Sequence, residues 1–389
     1  MKVLYQNAKV FTGKNTEFAD GIDFAVDEET GKFVSPDNTE KTVDLSGKYV
    51  MPGMINAHTH IVADPYNKIA ILGDKNVTAA KSTFLALGNL KKLLSDGVTY
   101  IRDAGSVFDV DIELADLEDS GDLQAPGIIG SGNPLTMTGG HFSNGSYEVD
   151  GVDEVRKYAR LALKKGVQNI KMMATGGVSF SGESPWDVQM TEEELRAGVE
   201  EAHHKGRTAC AHAQGTEGIQ NAVRAGVDSV EHAIYLDEET IQMFLDSGTY
   251  IVPTLTAPWA INENAEDLPP FMVEKSLAVS KAHIESIGKA AKAGVKLAMG
   301  TDSGTSYNNF DKNSSIEVAM MVDAGATPLQ ALQAATINGA DLLNVADKAG
   351  SIEPDKLADF IVLSEDPLAN ISALQNKKDV YKRGQLFVQ

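Results

Sequence analysis

One cysteine in 389 residues, Cys210, excludes an internal disulfide framework and any cysteine-based zinc finger. Basic residues are also scarce. Lys and Arg number 34 against 55 Asp and Glu, a formal net charge of −21. Phosphate neutralisation needs clustered cations, so a nucleic-acid partner is not expected. The acidic excess is spread along the chain without massing in a tail, and reads as a device for solubility. No apolar run approaches the roughly 18 residues that cross a bilayer, so no membrane partner is expected. The opening MKVLYQNAKVF lacks a long apolar segment and reads as a first strand rather than a signal peptide, which points to a cytoplasmic location. Internal repeats, low-complexity tracts and flexible linkers are absent. So is the Gly-rich phosphate turn that usually follows the first strand of a doubly wound sheet.

What remains is a globular chain, 42% hydrophobic, in which short apolar strands alternate with amphipathic helical stretches. The strand candidates are MPGMINAHTH, GVTYIRDAG, GIIGSG, NIKMMATGG, TACAHAQG, SVEHAI, YIVPTL and KLAMGTDSG. Helical stretches such as TEEELRAGVEEAHHKG and VSKAHIESIGKAAKAG close on Gly, as helix C-termini prefer. Alternation repeated this many times is what an α/β fold of the (β/α)8 TIM-barrel type requires. Residues 1–53 and 345–389 carry short β segments punctuated by Gly, Asn and Asp, and are expected to join as one small composite β-sandwich domain. The barrel is then expected over 54–344.

Chemistry-bearing residues fall on those strands: His58 and His60 end the first, Lys171 lies in the fourth, His212 ends the fifth, His232 the sixth and Asp302 the eighth. In a barrel the C-terminal strand ends converge on one face, which makes neighbours of residues far apart in sequence. In HTH the period-2 pleat sets both imidazoles on one side of the strand, with Thr59 turned into the packing behind. His203, His204 and His283 lie within helices and read as ordinary core or surface histidines.

The motifs HTH, KMMATGG, AHAQG, VEHAIY and GTDSG, in this order, resemble those of the amidohydrolase superfamily. They are most similar to its branch of imidazolonepropionase-related proteins, Xaa-Pro dipeptidases and metallocarboxypeptidases. That resemblance implies a binuclear centre of divalent metal ions, most often zinc. His58, His60 and Asp302 would hold one ion, His212 and His232 the other, and Lys171 would bridge them as a carbamate formed with carbon dioxide. A hydroxide bridging the ions would attack an amide bond, with Asp302 as proton acceptor and then donor. The substrate implied is a small molecule, a dipeptide or an N-acyl amino acid with a free carboxylate. Opening of a cyclic amide, deamination of a heterocycle, and a non-catalytic barrel are the alternatives; relatives commonly associate, so a homo-oligomer is compatible with the sequence.

Outside the ligands, His141 follows the third strand and is a candidate donor to the substrate carbonyl or carboxylate. Tyr235 resembles the family's HAxY and is a candidate partner of the tetrahedral oxyanion or of a substrate carboxylate. Arg102 and Asp103 are expected to form a buried pair holding strand ends together. Cys210, alternating with His212, reads as core filler. The loops 142–151 and 179–190 overhang the site, and Trp186 in the latter either stacks on substrate or anchors the loop.

Overall fold

The computed structural model describes residues 1–66 and 77–387. Its centre is built from parallel strands: β1 (Met54–Thr59), β2 (Val98–Asp103), β3 (Gly127–Ile129), β4 (Asn169–Met173), β5 (Thr208–Ala213), β6 (Ser229–His232) and β7 (Tyr250–Val252). β1, β2 and β3 pair in parallel, and so do β4 through β7 in sequence order. These strands are buried on both faces, as near-continuous apolar runs covered by helices should be. Two short strands, Leu135–Thr136 and Tyr147–Glu148, extend the sheet beyond β4.

Single contacts link these sheets further. Gln168 N donates to Gly130 O at 2.9 Å between the β3 and β4 segments. The segment KLAMGTDSG, expected as an eighth strand, is not a continuous strand. It bridges β7 in parallel at Ile251 and Leu297, and β1 at Thr59 and Ser303, while Ala57 N donates to Met299 O at 2.7 Å. Asp302 breaks the extended run with φ of 62°. Gly300 lies so close to β1 that an added Cβ would come within 2.9 Å of the His58 Cβ.

Helices follow the sequence pattern. TEEELRAGVEEAHHKG gives Glu192–His203, opened by a capping box in which Thr191 and Glu194 satisfy each other's backbone N–H. VSKAHIESIGKAAKAG lies in the longer helix Pro270–Ala293, whose first residue is the proline favoured there.

The chain ends form two sheets, the second of which joins N-terminal to C-terminal strands. In one, Lys2–Gln6 pairs antiparallel with Phe24–Asp27 and parallel with Lys41–Asp44, with Lys32–Val34 at the edge. In the other, Tyr49–Pro52 pairs antiparallel with Phe360–Leu363, followed by Asp379–Lys382 and Gln385–Phe387. Val3, Tyr5, Phe24, Phe33, Val50, Phe360 and Val362 share one apolar cluster, in which Tyr5 and Phe24 stack at 5.1 Å. Each such ring stabilises the fold by about 1.5–3 kcal/mol through burial. Tyr49–Pro52 runs through Gly53 straight into β1, so this packing fixes where the strand carrying His58 and His60 enters the centre.

Candidate metal centre

His58 and His60 end β1, and Thr59 between them turns away to donate its hydroxyl to Arg102 O at 3.2 Å. Each imidazole is held by its Nδ1. That of His58 lies 2.5 Å from Glu231 Oε2, and that of His60 lies 3.2 Å from Gly105 O. A carbonyl or carboxylate oxygen can only accept, so Nδ1 carries the proton and Nε2 keeps its lone pair. Both Nε2 atoms face Asp302 Oδ1, at 3.4 Å for His58 and 3.1 Å for His60. The candidate ligand atoms of these three residues lie within 4.8 Å of one another, a spacing that one ion could fill. Burial keeps His58 neutral well below the usual imidazole range, and burial also pushes Asp302 upward. The surrounding imidazoles of His60, His58 and His232 outweigh that and hold Asp302 ionised below the ordinary carboxylate range.

Beside them stand Lys171, His212 and His232. The parallel register sets Lys171 opposite Cys210, Met173 opposite His212 and Ala213 opposite His232. His212 Nε2 donates to Gly176 O at 3.2 Å, which leaves Nδ1 open. His232 Nδ1 meets the Thr254 hydroxyl at 2.6 Å, and burial pushes this imidazole down to about 3. The His212 and His232 rings are 4.6 Å apart, and His232 lies 5.3 Å from His58. Lys171 is 2% exposed, and its Nζ has no hydrogen-bond partner among the described residues. An ammonium sealed among imidazoles without an acceptor is costly. Conversion of this lysine to an anionic carbamate beside bound cations would remove that conflict, and the residues present are compatible with such a group. Those six side chains line one cleft, which encloses about 830 Å³ between protein atoms with its solvent mouth included.

His141 lines the same cleft, stacked on His212 at 4.1 Å. Its Nδ1 lies 2.6 Å from Glu183 Oε1, and its backbone N donates to Gln189 Oε1 at 2.7 Å. The TGG of KMMATGG has a use at each residue. Thr175 Oγ1 accepts from Gln214 N at 3.0 Å, Gly176 O accepts from His212, and Gly177 leaves room for the stacked rings. A Cβ on Gly177 would stand 2.6 Å from His141 Cε1 and 3.2 Å from His212 Cε1. The loop itself is clamped by Lys275, whose Nζ donates to Gly177 O, Phe180 O and Glu183 O at 3.2, 2.6 and 2.5 Å.

Tyr235 is not among the side chains lining the cleft; it is half-buried with its ring stacked on Trp186 at 4.1 Å. Trp186 thus contacts Tyr235 while remaining 56% exposed. The expected Arg102–Asp103 pair does not form. Arg102 Nη2 instead meets Glu231 Oε1 at 2.7 Å, and Asp103 accepts from the backbone N–H groups of Ile61 and Gly105. Cys210 is buried and accepts from Asn169 Nδ2 at 3.2 Å; burial pushes its thiol up. Sequence reasoning missed Glu231, Glu183 and Lys275, and gave His283 no place at the site. His283 is buried and lines the cleft, with Nε2 2.9 Å from His232 O. The one available signal was Glu231, a charged residue inside an otherwise buried strand.

Residues 49–386 match the Amidohydrolase family, and the chain belongs to that family. An ochratoxinase of Aspergillus niger is 32% identical over 372 residues, which cover 87% of this chain and 75% of the relative. A 5-methylthioadenosine/S-adenosylhomocysteine deaminase of Bacillus cereus is 25% identical, covering 93% of this chain and 85% of its own. The crystal structure of a Xaa-Pro dipeptidase with bound methionine in the active site superposes with a TM-score of 0.89 at 31% identity, over 100% of both chains. Such neighbours set the chain in the prolidase-like branch, as a hydrolase acting on carbon–nitrogen bonds. Among the described residues no helix is long and apolar enough to cross a membrane.

Proposed function

We propose that this protein hydrolyses the amide bond of an N-acyl amino acid or dipeptide at a binuclear centre. His58, His60 and Asp302 would hold one divalent ion and His212 and His232 the other, with zinc the favoured occupant and Lys171, carboxylated, between them. The observation that carries this is the buried Nζ of Lys171, set among the imidazoles with no hydrogen-bond partner among the described residues. When bound, the ions supply a water of lowered pKa and polarise the scissile carbonyl. Asp302, ionised and within reach of both imidazoles of HTH, accepts the water's proton and returns it to the leaving amine. His141, its Nδ1 engaged by Glu183, presents Nε2 as donor to the substrate oxygen. Tyr235, on the stacked pair with Trp186, acts at the rim on the outer part of the substrate.

The parallel strands β1 to β7 and the 297–303 segment are proposed to close as a (β/α)8 barrel spanning 54–344. The Gly130–Gln168 hydrogen bond and the two single bridges support closure. Residues 1–53 with 345–389 would form the composite β-sandwich, supported by the pairing of Tyr49–Pro52 with Phe360–Leu363 and their common core.

Deamination is the second reading, favoured by the deaminase relative. It is opposed by Lys171, which the superfamily's deaminases typically replace. Assaying metal-loaded protein against dipeptides, N-acyl amino acids and heterocyclic amines separates the two. Ninhydrin-positive products from the amides are expected. Ammonia released from a heterocycle with the amides untouched would move the assignment to deamination, and no hydrolysis with no bound metal would point to a binding protein.

A further inference from the structure

Above the ligands the cleft is walled by apolar side chains from separate elements. Phe142, from the loop after Leu135–Thr136, and Phe180, from the loop after β4, stand 6.2 Å apart. Phe180 meets His141 edge-on at 5.2 Å, and Phe142 lies 6.3 Å from the ring of His60, so the pair overhangs the centre directly. Val178, Ile234, Ile261 and Val279 also line the cleft and pack as one apolar cluster. Phe142 is buried with φ of 60°, in the left-handed region that a bulky side chain avoids. Such a conformation persists only where neighbours impose it, and it clusters at functional sites. Here the neighbour on its N-terminal side is His141, tethered by Gln189 and Glu183.

Charge is as informative as shape. Among the described residues lining the cleft, Lys171 is the one lysine, there is no arginine, and Asp302 is the one carboxylate. Each belongs to the candidate metal centre. A charged substrate group lying against these walls would be stripped of water without a partner. A ring-sized apolar group would gain burial and offset or edge-to-face contacts with two aromatic rings.

We propose that Phe142 and Phe180 determine specificity, selecting an amide whose acyl group is neutral, apolar and about the size of an aromatic ring. This rests on the amide-hydrolase function proposed above and narrows its substrate class to N-aroyl and similar N-acyl amino acids.

The test compares N-benzoylglycine, N-acetylglycine and N-succinylglycine on the metal-loaded full chain, with wild type, Phe180→Ser and Phe142→Asn. Asn is chosen because it tolerates the left-handed conformation. Benzoate and acetate as competitive inhibitors give a readout independent of turnover. Wild type is expected to favour the benzoyl over the acetyl substrate by about tenfold or more in kcat/KM, and to bind benzoate more tightly than acetate. Each variant is expected to shrink both preferences severalfold, chiefly through KM. Hydrolysis of the succinyl or acetyl substrate at least as well as the benzoyl one would overturn the proposal. So would parallel loss on all three substrates in both variants with the benzoate preference intact. If wild type hydrolyses none of the three yet cleaves dipeptides, the proposal is overturned while the amide-hydrolase function stands; if it cleaves no dipeptide either, that function itself fails.

Discussion

Glu231 uses its two carboxylate oxygens in opposite directions: Oε2 lies 2.5 Å from His58 Nδ1 and Oε1 lies 2.7 Å from Arg102 Nη2. One fully buried carboxylate therefore orients a candidate ligand and neutralises a fully buried guanidinium. Orientation of a ligating histidine through its other nitrogen is commonly worth about 10–100-fold in metal affinity. Glu231→Gln should weaken metal binding in that range, measured by competition with a chromogenic chelator. It should also lower stability by about 3–5 kcal/mol, because Arg102 is left buried without its counter-ion.

The sequence pattern was legible where candidate ligands sit on the parallel strands. HTH, Lys171, His212, His232 and Asp302 are recognisable because parallel strands bring their C-terminal ends together, and the structure does gather them in one cleft. Glu231 was adjacent to His232 yet unread, since its partner His58 is 173 residues away and no local pattern announces it. The Arg102–Asp103 pairing failed for a simple geometric reason. Successive residues of a strand point to opposite faces, so Arg102 reaches inward to Glu231 while Asp103 caps loop N–H groups behind. The eighth strand was overdrawn because its apolar residues hide a left-handed turn at Asp302.

Gly177 abuts the edges of the stacked His141 and His212 rings. Gly177→Ala should force the two rings apart and cost about 1–3 kcal/mol of stability. Activity should fall more than the shift in melting temperature implies, because the displaced rings belong to the candidate site. Thermal unfolding and kcat/KM on the same preparation check this.

Lys275 fastens the loop after β4 through three backbone carbonyls. Lys275→Met removes every one of these bonds, so limited proteolysis should cut between 177 and 187 faster than in wild type. Loss of about 1–3 kcal/mol is expected from the unmet carbonyls. KM should rise, since Val178 and Phe180 lie on that loop. An unchanged cleavage pattern would mean the loop is held by other contacts.

Glu353 joins the C-terminal segment to the N-terminal one through Lys14, at 2.6 Å. The hydrogen bond from Lys14, then that from Ser351, holds its carboxyl down to about 2. A depressed carboxyl pKa contributes stability above the ordinary carboxylate range, about 4.3, and loses it as pH falls towards the folded value. The melting temperatures of wild type and Glu353→Gln should therefore differ most above about pH 4.5 and converge towards pH 2. A gap that widened on acidification would contradict this assignment.

Lys171 is where sequence, burial and chemistry meet, and metal stoichiometry of wild type and Lys171→Ala, by elemental analysis of metal-reconstituted protein, tests its role most directly. Wild type should carry about two divalent ions per chain, and Lys171→Ala should lose at least one of them together with amide hydrolysis. Two ions retained in Lys171→Ala, with activity intact, would contradict a bridge at Lys171.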